Sequence, residues 1–277
     1  MTEQRFPAGA CDTHMHFYDC RYAAAPSSLL RPPDSTVEQY REVQASLGLQ
    51  RVVVVQPSTY GLDNSCTLDA VAEFNGDARA VVVVDDRVTD AELEQLTQRG
   101  ARGARFHMLP GGAVPWEMLP AVAARIAPFG WHIQLQMNGR ELADRLETLL
   151  ALPTTLVIDH VGRYMPPVDA DDKRFGLLMG LLDGGRTWVK LSAPYESASD
   201  PTHEYAAVGR LVHMLVQHAP ERLLWATNWP HPGQASPPSV GDLSRLAFEW
   251  MPDESVRRRI LVDNPAELYK FDITGVS

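Results

Sequence analysis

The chain has 277 residues, room for one large domain, and its 45% hydrophobic and 22% charged residues are ordinary for a soluble globular protein. Its 25 basic residues are outnumbered by 35 acidic ones, a formal net charge of −10. The one basic run, Arg257 to Arg259, sits beside Asp253 and Glu254 and reads as a solvated helix face. A nucleic acid or an anionic membrane therefore finds no basic surface to meet, and an anionic substrate must be held by a few locally placed arginines.

Met1 to Ala10 lack the apolar core of a secretion signal, and no apolar run reaches transmembrane length. Cys11, Cys20 and Cys66 show no paired spacing, so reduced thiols and a cytoplasmic location are expected. The first β-branched or apolar run, Cys11–His16, ends Asp12-Thr13-His14-Met15-His16. After a Pro-containing loop, Ala23–Pro33, Ser35 and Glu38 have capping-box spacing and open a helix that Gly48 closes. The second run, Arg51–Gln56, leads into Ser58, Tyr60, Asp63 and Asn64. The third is Ala80–Val84; Thr89 with Glu92 caps the helix after it, and Gly100 ends that helix. The fourth run, Gly103–Phe106, carries Arg105 and precedes the loop Leu109–Pro115. The fifth, His132–Gln136, ends in Gln136 and Asn138 before a helix with Leu142, Leu146 and Leu149 on one face. The sixth, Thr155–Asp159, is followed by His160 and Arg163; the seventh, Trp188–Leu191, carries Lys190 and leads to Ser192, Tyr195 and Glu196. The eighth, Leu223–Ala226, continues as Thr227-Asn228-Trp229-Pro230-His231, and Gln234–Pro238 is a loop.

Runs such as Val52–Val55 are apolar on both faces, as parallel strands covered on both sides require. Eight strand–helix units in about 250 residues predict an α/β fold of the TIM-barrel type, a single (β/α)8 domain over residues 1–277. A doubly wound nucleotide-binding sheet is disfavoured, because the first loop lacks Gly-x-Gly-x-x-Gly. In such barrels chemistry collects where strands end. His14 and His16, two apart on a strand, project to one side and can hold a metal or a substrate. Arg105, Arg163 and Lys190 at strand ends suggest a pocket for a carboxylate, which an arginine can grip with two hydrogen bonds.

Taken together, Asp12–His16, Gln56–Asn64, Gly103–Phe106, Asp159–Arg163, Leu224–His231 and Val262–Pro265 resemble the branch of the amidohydrolase superfamily that contains the 2-pyrone-4,6-dicarboxylate lactonases. The resemblance spans nearly the whole chain and implies a (β/α)8 barrel acting on cyclic esters. It also implies first-strand histidines, a sixth-strand histidine and an eighth-strand aspartate acting as general base. Here that last position is Asn228, which cannot accept a proton at neutral pH. Asn228 with Trp-Pro-His, Leu109–Val114 and Tyr195–Ser197 are similar to the lactone isomerases of the branch.

The resemblance thus implies conversion of an aldaro-1,5-lactone to the 1,4-lactone by intramolecular acyl transfer without water. His14, His16, His160 and Asn228 would be catalytic, and Ser58, Tyr60, Asn64, Arg105, Gln136, Arg163, Tyr195 and His231 would bind substrate. The alternatives are a lactone hydrolase whose aspartate is replaced by Asn228, and a non-catalytic binder of acidic ligands. No metal and no other cofactor is expected. The fifth- and eighth-strand ligand positions read as Gln136 and Asn228, and two imidazoles with amides make a poor zinc site.

Overall fold

The computed structural model describes residues 5–198 and 205–272. The first four residues of the stretch read as lacking a secretion signal lie outside the described residues. Among those described, no helix is long and apolar enough to cross a membrane.

Eight parallel strands run in chain order round one sheet, each paired with the next. They are β1 (Cys11–Met15), β2 (Arg51–Val55), β3 (Ala78–Val82), β4 (Ala101–His107), β5 (His132–Gln136), β6 (Leu156–Ile158), β7 (Thr187–Leu191) and β8 (Leu223–Trp225). The helices packed outside them are α1 (Val37–Leu47), α2 (Ser65–Ala72), α3 (Asp90–Gln98), α4 (Leu119–Ile126), α5 (Leu142–Leu150), α6 (Lys173–Asp183), α7 (Ala206–His218) and α8 (Val240–Trp250). Two short helices follow, α9 (Glu254–Arg258) and α10 (Asn264–Tyr269), joined by a π-helical turn over Arg259–Asp263. This is the expected (β/α)8 architecture.

The strands are valine-rich because both faces are covered: Val52, Val53, Val54 and Val55 have no exposed surface. One face packs against the helices. The other fills the barrel, whose lower end is plugged by Tyr269 and Phe271 against Cys11, Val53, Val81 and Trp188. Inside, Gly103 lies beside His132 across the β4–β5 pairing, and a Cβ on Gly103 would stand 2.5 Å from the His132 Nε2. Only glycine fits there.

Strand β4 extends beyond Gly103–Phe106 at both ends, and two further local expectations shift in the structure. The first capping box is Thr36 with Gln39, one residue later than Ser35 with Glu38. Ser35 is held extended because its backbone exchanges hydrogen bonds with Tyr18, at 2.7 and 3.2 Å, so the helix cannot begin before Thr36. The third strand starts at Ala78, which pairs with Val52, and stops at Val82. Beyond it the Asn64 side chain replaces a neighbouring strand, accepting from Val83 N and donating to Val83 O, both at 2.8 Å. The Thr89–Glu92 box forms as expected.

No ladder joins β8 to β1. Two backbone bonds cross that seam, from Asn228 N to His14 O and from His16 N to Trp229 O, both at 2.8 Å, and side chains add to them. The Asp12 carboxylate accepts from Thr227 N at 3.0 Å, His14 N at 3.2 Å, Tyr40 Oη at 2.9 Å and the Thr227 hydroxyl. Thr13 Oγ1 donates to Trp225 O at 2.9 Å. Burial raises the Asp12 carboxyl above its usual range, while these hydrogen bonds hold it down. Asp12→Ala leaves buried donors without a partner and is expected to cost more than about 3 kcal/mol, whereas Tyr40→Phe removes one donor and should cost about 1.5 kcal/mol. Urea denaturation of the two variants checks this; equal, surface-like losses would remove Asp12 from its role as the closure.

Candidate active site

The strand ends converge on a cavity lined by His16 from the β1 end, Ser58 after β2, Arg105 and His107 on β4, and Gln136 on β5. His160 after β6, Glu196 after β7 and Asn228 after β8 complete its polar wall. Tyr18, Leu29, Leu30, Pro57, Pro110 and Pro232 supply the apolar rim. The cavity is tight, about 80 Å³, and its outer edge carries the exposed leucines Leu29 (67%) and Leu30 (42%).

Beneath it lies a fully buried polar layer. Lys190 Nζ donates to Thr13 O and to Gln134 Oε1, both at 2.7 Å, and lies 3.8 Å from Asp159 Oδ1. Gln134 Nε2 donates to Asp159 Oδ2 at 3.1 Å. His14 stands on this layer, its Nδ1 3.2 Å from Asp159 Oδ1 and its Nε2 3.3 Å from His16 Nε2. His16 Nδ1 must be the donor in its 2.7 Å bond to Val55 O, since a carbonyl only accepts; the neutral ring therefore turns a bare Nε2 toward His14. His160 packs against His14 with ring centroids 4.8 Å apart, and its Nδ1 is 2.9 Å from Ser192 Oγ.

Arg105 is the guanidinium of the cavity. Its Nη1 donates to Gln56 O at 2.7 Å and its Nη2 to Gln136 Oε1 at 2.8 Å, while its buried Nε has no partner. No carboxylate pairs with it among the salt bridges of the described residues. Arg163 differs: its Nε is spent on Glu196 Oε2 at 2.8 Å. At β8, Asn228 Nδ2 donates to Tyr195 Oη at 2.9 Å, and that oxygen also lies 2.9 Å from His231 Nδ1. The Asn228 Oδ1 is buried without a partner. Arg105 and Asn228 both line the cavity, with these two unpaired atoms themselves buried. Strained backbone gathers at the same rim: His160, Val161, Arg163, Ala193, Asn228 and His231 all have positive φ.

Burial keeps the histidines here neutral at pH 7. It pulls His16 down to about 3, His107 and His231 to about 4, and His14 and His160 well below the usual value. Burial likewise brings Lys190 down to about 8. Among the described residues the ligand atoms of His14, Asp159 and His160 lie within 4.8 Å of one another, a grouping that could hold a metal ion, while Asp159 is also engaged by Gln134 and Lys190 and β8 supplies an amide.

The chain matches the profile of the Amidohydrolase family over residues 11–271. It belongs to that family. This amidohydrolase is 38% identical over 270 residues to D-galactarolactone isomerase of Agrobacterium fabrum, covering 96% of this chain and 92% of that one. It is 33% identical over 278 residues to 2-pyrone-4,6-dicarboxylate hydrolase of Comamonas testosteroni, covering 96% and 91%. A crystal structure of an Agrobacterium tumefaciens protein without ligand superposes with a TM-score of 0.90 at 37% identity, covering 97% of this chain and 98% of that one.

Of the residues singled out in the sequence, His16, Ser58, Arg105, Gln136, His160 and Asn228 line the cavity, and His14 lies against His16 and His160. Tyr195 and His231 stand behind Asn228, and Arg163 behind Glu196. Two are elsewhere. Tyr60 Oη accepts from Asp19 N at 2.8 Å, and Asn64 braces Val83 beside a separate groove of about 440 Å³ on the α3 side. Sequence reasoning missed His107 as a cavity residue, although it stands two positions beyond Arg105, the spacing that drew attention to His14 and His16.

The neutral histidines set an acid limit on stability. Their pKa values are lower folded than unfolded, so the unfolded chain binds more protons below pH about 6.5 and unfolding becomes easier as pH falls toward about 4. Each ring kept neutral should cost about 1.4 kcal/mol per pH unit in that window. Urea midpoints at pH 7, 5.5 and 4.5 test this; a flat profile would mean these rings protonate in place.

Proposed function

We propose that this amidohydrolase acts on lactones, isomerising an aldaro-1,5-lactone of the D-galactaro type to the 1,4-lactone by intramolecular acyl transfer. The observation that carries the reading is Asn228: the residue lining the cavity at the end of β8 is an amide, where a carboxylate would be needed to draw a proton from water. A substrate carrying its own hydroxyl nucleophile needs no such water, because a well-oriented internal group reacts with an effective molarity of ~10⁵ M or more. The 38% identity to D-galactarolactone isomerase supports the same reading.

In this proposal Arg105 binds the free carboxylate, being the cavity guanidinium without a carboxylate partner, and Arg163 does not, because Glu196 neutralises it. The pocket then suits a lactone with one carboxylate and several hydroxyls. Asn228, Glu196 and Ser58 supply hydroxyl partners, and His16 and His160 line the same wall.

NMR of D-galactaro-1,5-lactone incubated with the enzyme in ¹⁸O-water tests the proposal. The expected product is the 1,4-lactone without ¹⁸O; an ¹⁸O-labelled open-chain diacid would establish hydrolysis instead. Hydrolysis is the second reading, favoured by the Glu196 carboxylate in the cavity wall and by the relationship to 2-pyrone-4,6-dicarboxylate hydrolase. Arg105→Met should raise KM for the lactone about 10- to 100-fold, the loss of one charge-assisted carboxylate contact, with a smaller change in kcat. An unchanged KM would move the carboxylate away from Arg105.

A further inference from the structure

We propose that His107 is a catalytic residue, the imidazole that carries the substrate proton from the attacking hydroxyl to the departing ring oxygen. The substrate named here rests on the isomerase reading; the state of the imidazole does not.

That state follows from a chain of hydrogen bonds in which each member fixes the next. A guanidinium only donates, so the Gln136 atom 2.8 Å from Arg105 Nη2 must be the amide oxygen. The same oxygen lies 3.0 Å from His107 Nδ1. An oxygen only accepts, so Nδ1 carries the ring proton and Nε2 is left as a bare lone pair. Arg105 is itself anchored by Gln56 O at 2.7 Å, which fixes the chain at its far end. Among the described residues Nε2 has no hydrogen-bond partner, and His107 is a wall of the cavity. The ring stays neutral at pH 7, held down to about 4 by burial and then by Arg105, so its lone pair is available.

The other imidazoles are differently placed. The bare Nε2 of His16 is turned to His14. His231 has its Nδ1 occupied by the bond to Tyr195 Oη and stands behind Asn228. His160 also lines the cavity with no hydrogen bond at its Nε2, but its Nδ1 faces the Ser192 hydroxyl, which can donate or accept; for His107 the amide oxygen of Gln136 fixes Nε2 as the basic nitrogen, in a site where Asn228 cannot take a proton.

The step balances within the substrate. As O4 attacks C1, the O4–H bond breaks and its proton passes to His107 Nε2. The tetrahedral oxyanion collapses, the C1–O5 bond breaks, and the imidazolium returns the same proton to O5. No water and no other co-reactant is consumed. A weakly basic imidazole becomes a strong acid once protonated, which suits the second half, where an alkoxide leaves.

The test uses His107→Asn in the intact protein, because the Asn Nδ2 can still donate to Gln136 while nothing basic remains at the Nε2 position. Loss of a proton-transfer group should lower kcat by ~10²–10⁴-fold. KM should stay within about threefold, and added imidazole should restore part of the rate. Unchanged kcat, or a loss confined to KM, would overturn the proposal. If the wild-type enzyme turns out to hydrolyse its lactone, the isomerase reading fails, and loss and rescue measured on that hydrolysis still decide the role of His107. Independent of any substrate, ¹⁵N NMR of the folded wild-type protein at pH 7 should find His107 protonated at Nδ1 and bare at Nε2; the opposite tautomer would refute the assignment.

Discussion

The Asp12 carboxylate holds the two ends of the barrel together, and the site depends on that closure. Strands β1 and β8 share no ladder, and one buried carboxylate accepting from both sides of the seam adds to the two backbone bonds that cross it. The residues flanking this clasp are also functional candidates. The backbone of Asn228 donates to His14 O at 2.8 Å, and that of His16 to Trp229 O at the same distance. The position of the first-strand imidazoles relative to the eighth-strand amide is therefore set by the contacts that close the fold. Burying a carboxylate this deeply is tolerable because its oxygens accept several good hydrogen bonds.

Charge in the barrel is arranged with economy. Two cations, Lys190 and Arg105, and one carboxylate, Asp159, are buried close together, and every imidazole around them is held neutral by burial. Lys190 and Asp159 face each other through Gln134, which leaves Arg105 as the uncompensated positive centre nearest the cavity. Glu196 covers Arg163 at the rim. An acidic protein with a net charge of −10 thus presents a local positive site for an anion.

Much of this was legible in the sequence because parallel strands and their ends leave strong marks. The valine runs of β2 and β3 report burial on both faces, and the polar groups that follow each run mark the rim. What periodicity could not supply was the use made of each polar group. Asn64 lies one loop from Ser58, yet its amide completes the end of β3. Arg163 carries the same charge as Arg105, but the fold gives it a carboxylate partner contributed from beyond β7. His107 was hidden because β4 runs one residue past its apolar stretch, so an imidazole continues the inward-facing series Gly103, Arg105. The capping box slipped by one residue because a backbone pairing with Tyr18, remote in sequence, took Ser35 first.

Asn228 has φ +58°, in the left-handed region where a Cβ crowds the following carbonyl and where asparagine, aspartate and glycine are the residues at ease. The torsion angle limits which side chains the end of β8 can present, before any question of reactivity arises. Asparagine and aspartate share one outline and differ only in an NH₂ exchanged for an oxygen. The main chain therefore favours at this position two polar residues that are opposites in proton affinity, so the chemistry of the pocket can be rewritten there while the shape of the protein stays the same.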